Sequence, residues 1–213
     1  MVMTYLKKGM MTGFLCLCLA GIAATPTFAA DPPNAEAVVV STTNNVLQIL
    51  RKEKELFNEH PAHLFMVVEK YVLPHIDFGR MSRLVLGKYW RRATDDERVR
   101  FTEQFRSLLV RTYANALLRF SDADVEVLPS REASRPGRQL VRTEVRINGD
   151  KPLSIDYRMF QIDGAWKIYD VKIDGVSLVV NYRASFKNEI SSTGSIEKLI
   201  HKITAKNQAA NSG

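Results

Sequence analysis

Residues 166–186 read WKIYDVKIDGVSLVVNYRASF, and the way this stretch folds decides the architecture of the chain. Its first half alternates like a strand that changes faces: Trp166 and Ile168 point one way, Tyr169, Val171 and Ile173 the other. Asp174-Gly175 ends the strand, since glycine tolerates the positive φ that a sharp exit needs. A new apolar run starts at once with Val176, and the spacing of Leu178, Tyr182 and Phe186 is helical. The stretch therefore predicts a strand that delivers the chain directly into a helix. So many large apolar side chains around one tight turn are either an ordinary core corner or the lining of a cavity.

Upstream of this corner the period is two. Val125 and Val127 alternate, as do Val141, Thr143, Val145 and Ile147. Asn148-Gly149 is a hairpin signal. Leu153, Ile155, Tyr157 and Met159 form the next strand, and Asp163-Gly164 turns the chain into Trp166. Four consecutive strands predict an antiparallel meander, with Arg142, Glu144, Arg146, Asp156 and Arg158 on a wet face and the other face covered.

The cover comes from helices on either side in sequence. Val39, Thr43, Val46, Leu50 and Phe57 make one stripe; Leu64, Val68, Tyr71 and Val72 make a second after Pro61, which suits the first helical position. Phe78, Met81, Leu84, Val85 and Tyr89 make a third. Thr94-Asp95-Asp96-Glu97 is a capping box opening a helix of about 26 residues, roughly 40 Å long. Ile196, Leu199, Ile200 and Ile203 mark a C-terminal amphipathic helix. The expected class is α+β: a four-stranded antiparallel sheet with helices packed on one face.

Several diffuse blocks, in order, resemble one family. They are Leu73-Pro74, Leu86-Gly87-Lys88-Tyr89-Trp90, the helix from Thr94 to Leu117 with Phe101, Phe105 and Tyr113-Ala114 in register, Tyr169-Asp170-Val171, Gly175-Val176-Ser177-Leu178 and Asn181-Tyr182-Arg183. Together they look like the toluene-tolerance, or MlaC-like, family of periplasmic phospholipid-binding proteins. The match runs from about Val38 to Ile203. Asp174 departs from it, standing where a longer Glu is expected, and so does the loop Ser130 to Arg138. The resemblance implies a phospholipid carrier serving an inner-membrane transporter with its substrate-binding ring and an outer-membrane lipoprotein complex. The chain is then expected to be a monomer with no cofactor, holding phospholipid only as cargo.

The N-terminus agrees with export. Lys7 and Lys8 precede a short apolar run, Met10 to Ala24, and Thr27-Phe28-Ala29 supplies small residues before a cut after Ala29. The run is shorter than the about 20 apolar residues a spanning helix wants. We therefore expect a signal peptide over 1–29 and one domain over 30–213. Cys16 and Cys18 both fall in the leader, so the mature chain is expected to lack thiol chemistry. Without Lys7 and Lys8 the net charge of +7 becomes +5. A basic exported protein meets few nucleic acids but does meet anionic membrane surfaces.

Catalytic chemistry is hard to find in the sequence. His60, His63, His75 and His201 are the only histidines, and none has the companions of a metal set. His75 and Asp77 sit at i, i+2 on a turn, where their side chains diverge. Ser177 follows Val176 and does not sit in the Gly-x-Ser-x-Gly pattern of a nucleophile elbow. The expectation is that the protein is not an enzyme. Two other classes stay open: an enzyme on a cone-shaped α+β scaffold, with Asp77, Asp156 or Asp170 as the buried acid, and a protein-binding adaptor.

A lipid carrier must meet a physical requirement. Two sixteen-carbon tails hold about 28 methylenes at roughly 0.8 kcal/mol each, about 22 kcal/mol in all, so the tails must be almost wholly enclosed in a large apolar cavity. The sheet offers Val141, Val145, Ile155, Tyr157 and Trp166 as lining; the helices offer Phe78, Met81, Val85, Phe105, Leu109 and Tyr113. Val176, Val180 and Tyr182 would close the corner, although core packing uses the same residue types. The resemblance places Arg183 at the cavity mouth, where a guanidinium could pair with a lipid phosphate.

Overall fold

The protein is seen here as a computed structural model that describes residues 34–129, 136–147, 149 and 151–209. The expected leader over 1–29, its cleavage site and both cysteines lie outside the described residues, as do Asn148 of the expected hairpin and residues 130–135.

Five helices precede the sheet: α1 Ala35–Lys52, α2 Lys54–Glu59, α3 Pro61–Tyr71, α4 Phe78–Leu86 and α5 Asp95–Leu118. Short 3-10 turns, Leu73–His75 and Gly87–Arg91, flank α4. Each boundary has a local cause. Asn34 caps α1 by accepting from the amide of Ala37, and Asp77 caps α4 by accepting from Arg80. Gly87, at φ 56°, stops α4 in a conformation that side chains resist. Thr94 and Glu97 form the expected reciprocal box at α5: the Glu97 amide donates to Thr94 Oγ1 (3.1 Å) and the Thr94 amide to Glu97 Oε2 (2.8 Å).

The strands are β1 Asp124–Leu128, β2 Arg138–Arg146, β3 Leu153–Ile162, β4 Ala165–Ile173 and β5 Val176–Ser177, antiparallel in the order β1-β2-β3-β4-β5. The sheet thus has five strands, one more than the sequence pattern suggests. Asp174 (φ 47°) and Gly175 (φ 80°) double the chain back, so Val176 and Ser177 pair with Ile173 and Lys172 before α6 begins. Helix α6 runs Leu178–Thr193 and α7 Ile196–Ala209.

The change of face expected in β4 is a β-bulge. Arg158 pairs with Asp170 and Met159 with Ile168, which leaves Tyr169 as the extra residue. The bulge lets Ile168 and Ile173 share the covered face although their spacing is odd. It sends Tyr169 to the other side, against Phe160 (5.9 Å between ring centroids), where the Arg80 guanidinium stacks 3.6 Å from the Phe160 ring. The rest of that outer face carries ion pairs: Arg146 with Glu126 and Glu144, and Arg142 with Asp156.

Beside the bulge, Asp170 is 1% exposed. Its Oδ2 accepts from Ser177 Oγ (2.7 Å), its Oδ1 from the Val179 amide (3.1 Å), and Arg158 Nη1 approaches at 3.4 Å. Ser177 Oγ in turn accepts from the Val180 amide. One carboxylate therefore joins β3, β4 and the positive end of α6. Asp170→Ala would leave buried donors unsatisfied, and we expect a loss of about 3 kcal/mol; Ser177→Ala, which removes the cap and one of the bonds to the carboxylate but leaves the Val179 and Arg158 contacts, should cost less, about 1–2 kcal/mol. Urea unfolding of the two variants measures both, and equal midpoint shifts would contradict the central role given to Asp170.

Candidate functional site

The apolar interior is divided between two bodies. The first is helical. Met81 and Val85 of α4, Phe101, Phe105, Leu108 and Leu109 of α5, Phe186 and Ile190 of α6, and Leu199, Ile200 and Ile203 of α7 are all buried together. Rings lock its centre: Phe105 lies 5.2 Å from Tyr182 and 5.8 Å from Phe186, both edge to face. This body is close-packed core.

The second body encloses a cavity of about 350 Å³. Helix α1 forms one wall with Val38, Val39, Thr42, Thr43, Val46, Leu47 and Leu50, at three- and four-residue spacing. The sheet forms the opposite wall with Val125, Val145, Leu153, Ile155, Tyr157, Ile168 and Ile173. The end of α5 contributes Tyr113, Ala116 and Leu117, with Phe120 beyond it, and Val72 and His75 close the side. No Asp, Glu, Lys or Arg is among the lining residues. The volume exceeds twice the ~150 Å³ apolar void that stays dry and takes up benzene. Two larger hollows, of about 600 and 670 Å³, lie along α3 and α5, but Glu69, Glu103 and Arg106 line both. The Glu69–Arg106 ion pair (2.8 Å) crosses that groove, so it suits polar solvent and not an apolar ligand.

Helix α1 is held at both ends of the cavity. Near its start, Ala35, Val38 and Val39 pack against Val141, Met159 and Ile168. At its last turn, Arg51 donates to the carbonyls of Ser121 (2.9 Å) and Ala123 (2.8 Å), fastening it to the turn between α5 and β1.

Polar groups within the lining are few and mostly accounted for. Burial pushes the Tyr157 phenol up in pKa, against a hydrogen bond with Thr143. Tyr182, in the helical core beside the lining residue Tyr113, is pushed up to about 12 by burial and by that hydrogen-bonded neighbour. Burial, and then the charge of Lys167, hold His75 below its usual 6.5. Thr42 Oγ1 is buried without a hydrogen-bond partner. The three carboxylates suspected of acid chemistry lie elsewhere: Asp77 caps α4, Asp170 caps α6, and Asp156 faces Arg142 on the outer side of the sheet. His75 faces the cavity while Asp77 turns away from it. No group of three or more His, Cys, Asp or Glu among the described residues could hold a metal ion. What this arrangement can do is enclose apolar matter.

Of the residues singled out from the sequence, Tyr113, Val145, Ile155 and Tyr157 meet in this cavity. Val141 (0% exposed) shares their face but is packed solid at the closed end, with Trp166 half-buried against the same cluster. Met81, Val85, Phe105, Leu109 and Tyr182 belong to the helical core, with Phe78 half-buried between the two bodies. The reason is length: α5 spans about 36 Å, and only its last turns reach the sheet. Val176 and Val180 are 58% and 59% exposed, one on the short edge strand and the other on the solvent side of α6. Arg183 donates from Nε to the Leu84 carbonyl (2.6 Å), tying α6 to the end of α4 at a distance from the cavity lining. The α1 wall is absent from the sequence-based set, though its stripe carries a signal: two threonines, Thr42 and Thr43, interrupt an otherwise apolar face.

The two bodies should respond differently to truncation. In ligand-free protein, Phe105→Ala is expected to cost about 3–5 kcal/mol, as for a packed core. Ile155→Ala merely enlarges a void that already exists, and about 1–2 kcal/mol is expected. Similar losses in urea unfolding would mean that the cavity is collapsed in solution. His75 makes a pH signature. Its folded pKa lies below the unfolded value, so the unfolded chain takes up the proton first as pH falls. Stability should therefore decline as pH drops through 6.5 and level off below the folded pKa. His75→Gln should flatten that decline; an unchanged profile would remove His75 as its source.

Comparisons with known proteins converge on one family. The family profile described as "MlaC protein" matches residues 40–205. The chain is 27% identical over 174 residues to the toluene tolerance protein ttg2D of Pseudomonas putida, covering 81% of this chain and 80% of that one. It is 24% identical over 157 residues to the intermembrane phospholipid transport system binding protein MlaC of Haemophilus influenzae, covering 72% and 73%. A solved phospholipid-binding protein from Ralstonia solanacearum, in complex with a phospholipid, superposes with a TM-score of 0.78 at 30% identity over 84% of this chain and 99% of its own. With the matching profile spanning most of its length, the chain belongs to the MlaC protein family.

Proposed function

We propose that this protein is a periplasmic phospholipid carrier that encloses acyl chains in the cavity between α1 and the sheet. The observation that supports the reading is the composition of that cavity: aliphatic and aromatic walls with no Asp, Glu, Lys or Arg among them. Such a lining removes methylenes from water at about 0.8 kcal/mol each and scarcely discriminates between chains. Bilayer and cavity are both apolar, so transfer between them is close to isoenergetic, and direction has to come from partners. Family membership supports the partners that the resemblance implies: an inner-membrane transporter with its substrate-binding ring on one side and an outer-membrane lipoprotein complex on the other. No helix among the described residues is long and apolar enough to cross a membrane, in keeping with a carrier that moves between them. The carrier works as a monomer, without cofactor and without catalysis. Tyr113, Val145, Ile155 and Tyr157, together with the α1 wall, contact the tails.

Native mass spectrometry of gently purified protein, with lipid extraction from the same sample, tests the reading. Wild type should carry phospholipid; protein that is uniformly ligand-free, or loaded with a different class of molecule, would overturn it. Val145→Trp adds a chain-blocking indole. Val145 lines the cavity, so the delipidated variant should lose little stability while bound lipid falls or shifts to shorter tails. In a solid core the same change would cost about 1–3 kcal/mol or more. Both forms must be compared after delipidation, because bound lipid itself stabilises the fold by mass action.

A further inference from the structure

Charge is unevenly spread over the helices. Elsewhere several cations sit against acids: Lys54 with Asp122, Arg100 with Glu197, Arg106 with Glu69 and Arg146 with Glu126. Helix α4, the Gly87–Arg91 turn and helix α6 form a contrasting surface. They carry Arg80, Arg83, Lys88, Arg91, Arg183 and Lys187 against a single acid, Glu189, and that acid is held by Lys202 of α7. Arg80 is occupied over the Phe160 ring. The other five are exposed and form no salt bridge among the described residues. The geometry gathers them. Arg183 reaches the Leu84 carbonyl between Arg83 and Lys88, and Lys187 lies one turn beyond Arg183 on the same face of α6.

The N-terminal end of this basic face is apolar. Val180 is three residues before Arg183 on its side of the helix, and Val176 lies just before it; both are more than half exposed. Val176 also pairs with a residue of the cavity wall. That residue is Ile173, three residues before it, and Tyr182 of α6 hydrogen-bonds Tyr113 of the lining. A surface with an apolar tip and a row of exposed cations without acidic partners behind it has the chemistry of a peripheral membrane contact. The cations meet anionic headgroups and the valines enter the headgroup boundary.

We propose that the α4–α6 face docks on an anionic phospholipid bilayer surface, with Val176 and Val180 leading and Arg83, Lys88, Arg91, Arg183 and Lys187 pairing with lipid phosphates. The proposal rests on the carrier reading and adds to it a place where the carrier meets the membrane directly.

The test is co-sedimentation of the full-length mature protein with vesicles of phosphatidylglycerol mixed into phosphatidylcholine, against vesicles of phosphatidylcholine alone. Wild type should bind the anionic vesicles, fail to bind the neutral ones, and be released as salt is raised. Arg83→Glu with Lys187→Glu, two exposed positions away from the cavity, should lower binding by about tenfold or more. Lys52→Glu with Lys151→Glu changes the net charge equally at other sites and should leave binding within a few-fold of wild type. Val180→Ser should weaken binding with the salt dependence unchanged. Circular dichroism of each variant establishes that it is folded. Wild type that stays in the supernatant at low salt overturns the proposal and leaves the face to an acidic protein partner. Equal losses in the two double variants also overturn it, since net charge alone would then explain the binding. Native mass spectrometry on the same preparations keeps the two ideas apart: protein that carries phospholipid but ignores vesicles refutes only the docking face, whereas protein without phospholipid refutes the carrier reading.

Discussion

The architecture depends on a buried carboxylate. Asp170 stands where β4, bulged at Tyr169, must pass beside the start of α6, and it satisfies donors from both Ser177 and Val179. A charge taken out of water is costly unless hydrogen bonds replace the lost hydration. Here the replacements come from an N-terminal helix turn, whose dipole also favours a negative charge, and from Arg158 across the sheet. These contacts set where α6 begins. They thereby set where Phe186 and Tyr182 meet α5, and so the position of the whole helical core.

With that core fixed, the remaining half of the molecule can tolerate a hollow. An unfilled apolar hollow forfeits the contacts its walls would otherwise make, which weighs heavily against the roughly 5–15 kcal/mol that stabilises a typical domain. Such a void would be expected to collapse unless its walls were held apart. Packing of Ala35, Val38 and Val39 on the sheet holds α1 at one end, and the paired bonds from Arg51 hold it at the other. Between these anchors the wall is made of valine, threonine and leucine on α1 and β-branched residues on the strands, too short or too stiff to reach across. An apolar occupant would recover much of the cost and so link stability to what the cavity holds.

Much of this was legible in the sequence. Period-two alternation placed Val145, Ile155 and Tyr157 on the covered face, and the capping box marked the start of α5. What periodicity does not report is which of two apolar bodies a stripe serves. Helix α5 shows one stripe from Phe101 to Phe120, yet Phe105 and Leu109 pack in the helical core while Tyr113 and Leu117 border the cavity. The exposure of Val176 and Val180 was likewise hidden, because an apolar side chain does not announce whether a neighbour covers it. The two-residue strand β5 is too short for a pattern to reveal. The Tyr169 bulge left a trace, the odd spacing between Ile168 and its apolar successors, but turning that trace into a shared face requires the pairing partner in β3.

The division into a solid body and a hollow one has a consequence for selectivity. A wall without formal charge treats one acyl chain much like another; the energy of enclosing a tail scales with its length and little else. His75 and Thr42 add polar atoms to the lining, but a hydrocarbon chain offers them nothing to bond. A charged group would therefore find its partners outside the cavity, where charge is available. The exposed cations of α6 and the end of α4 stand on elements that belong to the solid core. A surface built on these packed elements is separate from the walls that border the cavity. Filling of the cavity would then bear on stability without altering what that surface presents.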